Sequence, residues 1–136
     1  MRILIAEDQR VGQLLLHAFA ERYGECDLAA NGLEAVECFE RALTSGRRYD
    51  LVFLDIMMPE LDGQEALKRM RALETKHGIT PSQGAVVIVT TALGDEENIF
   101  EAHVSGCAAY LVKPFSRQEF ERILGELGFT QRGGGK

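Results

Sequence analysis

A carboxylate pair, Glu7-Asp8, a lone carboxylate, Asp55, and a lysine before proline, Lys113-Pro114, stand along the chain in an order that invites a chemical reading. Each directly follows a short apolar run: ILIA before Glu7, LVFL before Asp55 and AYLV before Lys113. Open parallel α/β sheets build their sites at the carboxyl ends of strands, so three such ends would deliver an acidic pocket holding one cation. Glu7, Asp8 and Asp55 bring −3 and Lys113 +1, leaving a bare pocket of −2 that one divalent ion would neutralise. At an effective dielectric of about 20, each carboxylate pair ~4 Å apart repels by about 4 kcal/mol, so the cluster needs a cation or protons to persist. Carboxylate oxygens with few other protein ligands suit Mg²⁺, which keeps several waters and bridges to phosphate. Asp55 is then the candidate nucleophile, because carboxylates form aspartyl-phosphate intermediates and a metal shields the approach of the phosphoryl donor. Thr91, within VTTA, offers a hydroxyl and Lys113 an ammonium to phosphoryl oxygens.

The elements that must position these groups are legible as periodicity. Nearly continuous apolar runs recur at residues 3–6, 51–54, 85–89 and 108–112, with a weaker one at 26–30, and such runs mark strands covered on both faces. Between them lie amphipathic helical stripes: Val11, Leu14, Leu15, Ala18 and Phe19; Ala35, Val36, Phe39 and Leu43; Leu67, Met70 and Leu73; and Phe120, Ile123, Leu124 and Leu127, ended by Gly128. Five strands alternating with five helices give an α/β chain, (βα)5, with a doubly wound five-stranded parallel sheet of the flavodoxin-like order 2-1-3-4-5. Asn31-Gly32, Asp62-Gly63 and Gly94-Asp95 mark the turns into the second, third and fourth helices, Asp95 as a cap. Residues 74–83 are polar, contain Gly78 and Pro81, and are expected to form a loop. Residues 1–129 form the expected domain, and the tail 130–136, with three consecutive glycines, is expected to be mobile.

A chain of 136 residues is one domain's worth, and 21 acidic against 15 basic residues give a net charge of −6. That surface repels phosphate backbones, which argues against direct nucleic-acid binding. No apolar stretch approaches the ~20 residues of a membrane helix, and Glu7-Asp8 interrupts any signal-peptide core, so a cytoplasmic protein without membrane contact is expected. Cys26, Cys38 and Cys107 are odd in number and scattered, and are read as reduced thiols.

The segments ILIAED, LVFLDIMMPELDG, VTTA and AYLVKPF together resemble the receiver domain of two-component response regulators, over residues 1–129. The resemblance implies that Asp55 accepts a phosphoryl group from a sensor histidine kinase or a histidine phosphotransfer protein. It also implies that Asp8, Asp55 and the Met57 backbone carbonyl hold Mg²⁺, with Glu7 acting through a metal-bound water. Thr91 and Lys113 would bind the phosphoryl oxygens, Tyr110 would be the aromatic switch, and the bond before Pro114 would be cis. Thr91 is preferred to Thr90 because it lies 22 positions before Lys113 and strand alternation points Thr90 the other way. The implied output surface, around Phe100, His103, Tyr110, Phe115 and Gln118, would be read by a downstream protein target, in a stand-alone receiver or a fragment of a longer regulator. Such a protein is a switch rather than a turnover enzyme.

Several residues depart from the family pattern. The 74–83 loop is longer than usual, and Ala108-Ala109 and Ile123 stand where a winged-helix regulator would carry the charges of its dimer. Met57 and Leu93 flank the pocket with apolar groups, which predicts slow self-dephosphorylation. A Mg²⁺-dependent phosphatase is the main rival, but it would need an aspartate at position 57, where this chain has Met57. Histidines 17, 77 and 103 are dispersed and none is a credible phosphodonor, and a degenerate docking module is disfavoured by the full residue set.

Overall fold

Apolar runs that present no polar face cannot border water, and all of them lie in one sheet in the computed structural model, which describes residues 1–58, 60–92 and 96–132. The strands are β1 (Arg2–Ala6), β2 (Glu25–Ala29), β3 (Leu51–Asp55), β4 (Val86–Ala92) and β5 (Ala109–Lys113), all parallel, in the order β2-β1-β3-β4-β5. The helices are α1 (Arg10–Ala20), α2 (Gly32–Thr44), α3 (Gly63–Lys76), α4 (Glu96–Val104) and α5 (Arg117–Glu126). β3, at the centre, is buried at every position, whereas the edge strand β2 is buried only at Ala29, which is why its apolar signal is the weakest.

Strand alternation divides the core in two. Leu4, Ala6, Val52, Leu54, Val87 and Val89 face α2, α3 and α4, while Ile3, Ile5, Leu51, Phe53, Ile88 and Leu111 face α1 and α5. On the second face Phe120 stacks on Phe53 at 5.1 Å and tilts against Phe19 at 5.4 Å. Side chains cap three helices: Asn31 accepts from Glu34 N, Asp62 from Glu65 N and Ser116 from Glu119 N. These bonds satisfy amide donors that the first helical turn leaves open. Gly128, at φ +90°, turns the chain off the end of α5.

Two expectations are corrected. The α1 period marks a helix, but Val11, Leu14, Leu15 and Ala18 face outward, and the inward stripe is Leu16, Phe19 and Ala20. Val11 is 79% and Leu14 53% exposed. The 74–83 segment is not wholly loop, since α3 runs on to Lys76 and a 3-10 turn spans Pro81–Gln83. Glu74 is buried, with its carboxylate accepting from Arg71 Nη1 at 2.8 Å and Ala85 N at 2.7 Å. Arg71 also donates to the carbonyls of Ala85 (2.9 Å) and Gly106 (2.6 Å), tying α3 to the starts of β4 and β5. Past α5, Arg132 N donates to Arg22 O at 2.7 Å. Pro59, Leu93, the Asp95 cap and the terminal glycines lie outside the described residues.

Around β2, Arg2 donates to Asp27 at 2.9 Å and lies over the Tyr49 ring, whose hydroxyl donates to the same carboxylate at 2.6 Å. The backbone of Arg2 donates to Asp50, and its guanidinium to the Arg47 carbonyl. Among the described residues, no helix is long and apolar enough to cross a membrane.

Candidate functional site

Alternation along β1, β3 and β5 continues past the core. Glu7 follows Ile3 and Ile5, Asp55 follows Phe53, and Lys113 follows Leu111, so all three side chains emerge on the α1/α5 face at the carboxyl edge. Lys113 Nζ donates to Glu7 Oε1 at 2.8 Å and to Asp55 Oδ2 at 2.9 Å. Glu7 is wholly buried and Asp55 is 4% exposed, while about a third of the Lys113 side chain reaches water. Burial alone would lower the Lys113 pKa, but its hydrogen bonds to the Glu7 and Asp55 carboxylates outweigh it and hold the ammonium above its ordinary value. The remaining carboxylate oxygens are steered by backbone, Asp55 Oδ1 accepting from Met57 N at 3.0 Å and Glu7 Oε2 from Gln9 N at 3.1 Å.

Asp8 is half-buried and has no ion pair among the described residues, yet ligand oxygens of Glu7, Asp8 and Asp55 all lie within 4.8 Å of one another. One ammonium therefore serves two carboxylates and leaves the third uncompensated. This donor set, hard oxygens with a net negative charge, fits a divalent cation such as Mg²⁺. The acids line a cleft of about 470 Å³ whose apolar side is formed by Val11, Leu15, Leu16, Pro114 and Phe115, with Met57 at its margin. The Lys113–Pro114 peptide is cis, as the resemblance implied.

The two threonines separate as alternation requires. Thr90 sits opposite Asp55 in the sheet, and its buried hydroxyl has no hydrogen-bond partner among the described residues. Thr91 falls on the α4 face with Val89 and is 1% exposed. Tyr110, opposite Val89, shares that face and is 47% exposed. It lines a groove of about 400 Å³ with Phe100 and His103, and Phe100 is 70% exposed. Gln118 is exposed, but Phe115 only partly meets the surface expectation, because its ring lies 6.4 Å from both Phe19 and Phe120 and half of it is core. What periodicity left open was the direction of the α1 stripe: Val11 and Leu15, which it named, face outward and border the cleft, while the inward Leu16 and Ala20 went unnamed.

Over residues 3–124 the chain matches the family described as the response regulator receiver domain. It is 39% identical over 124 residues to regulatory protein AtoC of Escherichia coli (strain K12), a match covering 90% of this chain and 24% of that protein. The chain thus spans about a quarter of this curated relative's length. Among solved structures it is similar to the receiver domain of the Saccharomyces cerevisiae response regulator Ssk1, crystallised with the histidine phosphotransfer protein Ypd1. There the TM-score is 0.80 and the identity 30%, over 94% of this chain and 88% of the other. It is also similar to the receiver domain of a Pseudomonas aeruginosa PAO1 sensor histidine kinase that holds a magnesium ion in its active-site cleft. That match has a TM-score of 0.73 and 32% identity, over 92% and 94% of the two chains.

Proposed function

The chain belongs to the response regulator receiver domain family, and on that premise we propose that it is a cytoplasmic signalling switch that accepts a phosphoryl group on Asp55 in a Mg²⁺-dependent reaction. The observation that carries the reading is the shared ammonium: Lys113 holds Glu7 and Asp55 together while Asp8 stands unpaired within ligand distance of both. Mg²⁺ on Asp8, Asp55 and the Met57 carbonyl, with Glu7 acting through water, would cancel the excess charge and attract the phosphoryl oxygens. Asp55 supplies the nucleophile. One of its oxygens forms a bond to phosphorus as the phosphorus–nitrogen bond to a donor histidine breaks, and the electron pair returns to the imidazole, which takes up a proton. Lys113 and the Thr91 hydroxyl then hold phosphoryl oxygens.

Thr91 and Tyr110 share the α4 face, so drawing Thr91 toward the phosphate opens space for the Tyr110 ring to move inward and remodels the groove with Phe100 and His103. A swing from 1:99 to 99:1 between two surface states needs about 5.5 kcal/mol of differential stabilisation. The donor is a histidine kinase or a phosphotransfer protein like the partner of Ssk1, and the exposed Val11, Leu14 and Leu15 beside the cleft give it an apolar strip to dock on. The readout is a downstream protein bound at the α4–β5 groove. Met57, 64% exposed above Asp55, keeps a polar group from activating hydrolytic water, so the phosphoaspartate lives for minutes or longer.

Incubation with acetyl phosphate, with and without Mg²⁺, followed by intact-mass measurement, tests the reading. One added phosphoryl group, dependent on Mg²⁺ and absent in Asp55→Asn, is expected. No uptake by the wild type, or decay of the adduct within seconds, would contradict the corresponding statement.

A further inference from the structure

Gly12 lies near the start of α1, where glycine is a poor helix former, and its backbone is helical with φ negative. No turn or cap requires it. What it does is leave a hole. A Cβ there would stand 2.8 Å from Glu7 Cδ and 2.9 Å from both Cγ and Oε1. Contact with three consecutive parts of the side chain means that rotating the carboxylate alone gives no relief. Glu7 has nowhere else to go: it is fully buried, one oxygen is held by Lys113 at 2.8 Å and the other by Gln9 N at 3.1 Å. Aspartate, one methylene shorter, would not reach the space beneath Gly12.

We infer that Gly12 is a positioning residue for the metal-assisted reaction: it gives the extra methylene of Glu7 a berth under α1, so that the longer acid presents its carboxylate at Lys113 without entering the space of Asp8 and Asp55. The inference rests on the proposed cation site. A side chain at position 12 forces Glu7 to surrender either the Lys113 or the Gln9 contact, which displaces the acid meant to orient metal-bound water. Groups that orient ligands without binding the metal directly typically change affinity roughly 10-fold or more when disturbed.

The test is a double-mutant cycle of Gly12→Ala and Glu7→Asp, read by thermal midpoint and by isothermal titration with MgCl₂. Gly12→Ala alone is expected to lower the midpoint by roughly 5 °C, against the gain its helix propensity predicts. It is also expected to weaken Mg²⁺ binding about 10-fold. In the Glu7→Asp background the same change is expected to raise the midpoint and leave Mg²⁺ affinity within about twofold of that background, since no clash remains. Equal effects in both backgrounds, or a raised midpoint in each, would overturn the inference. If the wild type binds no Mg²⁺, the cation site fails, and the inferred role in metal positioning fails with it; the midpoints then still show whether Gly12 houses Glu7.

Discussion

At the amino-terminal edge of the sheet Arg2 meets Asp27 and Arg71 meets Glu74, while at the carboxyl edge Glu7, Asp8 and Asp55 share a single lysine. The first edge matches each buried or half-buried acid with a guanidinium and adds backbone partners: Ala85 N to Glu74, and the Ala85 and Gly106 carbonyls to Arg71. The second edge is left short of positive charge inside a cleft. Full pairing fixes strands and loops in place; unbalanced charge is held ready for a ligand. The contrast separates the pairs that tie this fold together from the cluster proposed to do its chemistry.

Arg71→Ala should sharpen the contrast most. Stranding the buried Glu74 carboxylate is expected to cost about 3 kcal/mol in urea unfolding while leaving the rate of phosphoryl uptake from acetyl phosphate unchanged. Asp8→Asn should behave in the opposite sense, cutting uptake about 100-fold yet raising metal-free stability by about 1 kcal/mol as carboxylate repulsion falls. If Asp8→Asn destabilises the protein, the carboxyl edge is not electrostatically strained and the comparison breaks. Tyr49→Phe, which removes the 2.6 Å hydrogen bond to Asp27, is expected to cost about 1 kcal/mol with no effect on uptake.

Alkaline titration gives a subtler test. Burial, followed by the Asp27 hydrogen bond, holds the Tyr49 phenol well above its ordinary value of 10.0. In the folded protein the proton is therefore retained where the unfolded chain loses it. The stability this contributes is complete below pH 10.0 and lost as pH rises toward the folded value, and Tyr49→Phe should flatten that decline in circular dichroism melts. The smallest effect concerns the thiols. Burial raises all three, Cys26 to about 11, so alkylation by iodoacetamide at pH 8 should be slow and insensitive to Mg²⁺.

Much of this was legible beforehand for a physical reason. A strand buried on both faces has no choice but a continuous apolar run, so ILIA and LVFL announced the sheet and the acids at its edge, while AYLV, on the edge strand β5, kept the run although only Leu111 is buried. Periodicity identifies a helix but not its azimuth when two stripes are apolar, hence the mixed stripe read for α1, in which Phe19 faces inward with Leu16 and Ala20 while Val11, Leu14, Leu15 and Ala18 face out. Glu74 was hidden because composition treats an acid as solvated. Its partner Arg71 lies three residues back, but the decisive donor, Ala85 N, comes eleven residues later and only through the turn at Pro81–Gln83. Gly12 carried a faint signal, a glycine inside a helical pattern five positions after Glu7, and its meaning needed the third dimension.

Because the acid–lysine cleft opens beside α1 and the groove of Phe100 and Tyr110 lies beside α4, inhibitor design can address them with different compounds. A compact cationic compound with an apolar edge, seated against Leu15, Pro114 and Phe115, would block the proposed phosphoryl uptake on Asp55 without occupying the groove. A flat aromatic wedge beside Phe100 and Tyr110 would do the reverse, blocking the proposed partner groove while leaving Asp55 open to phosphoryl transfer.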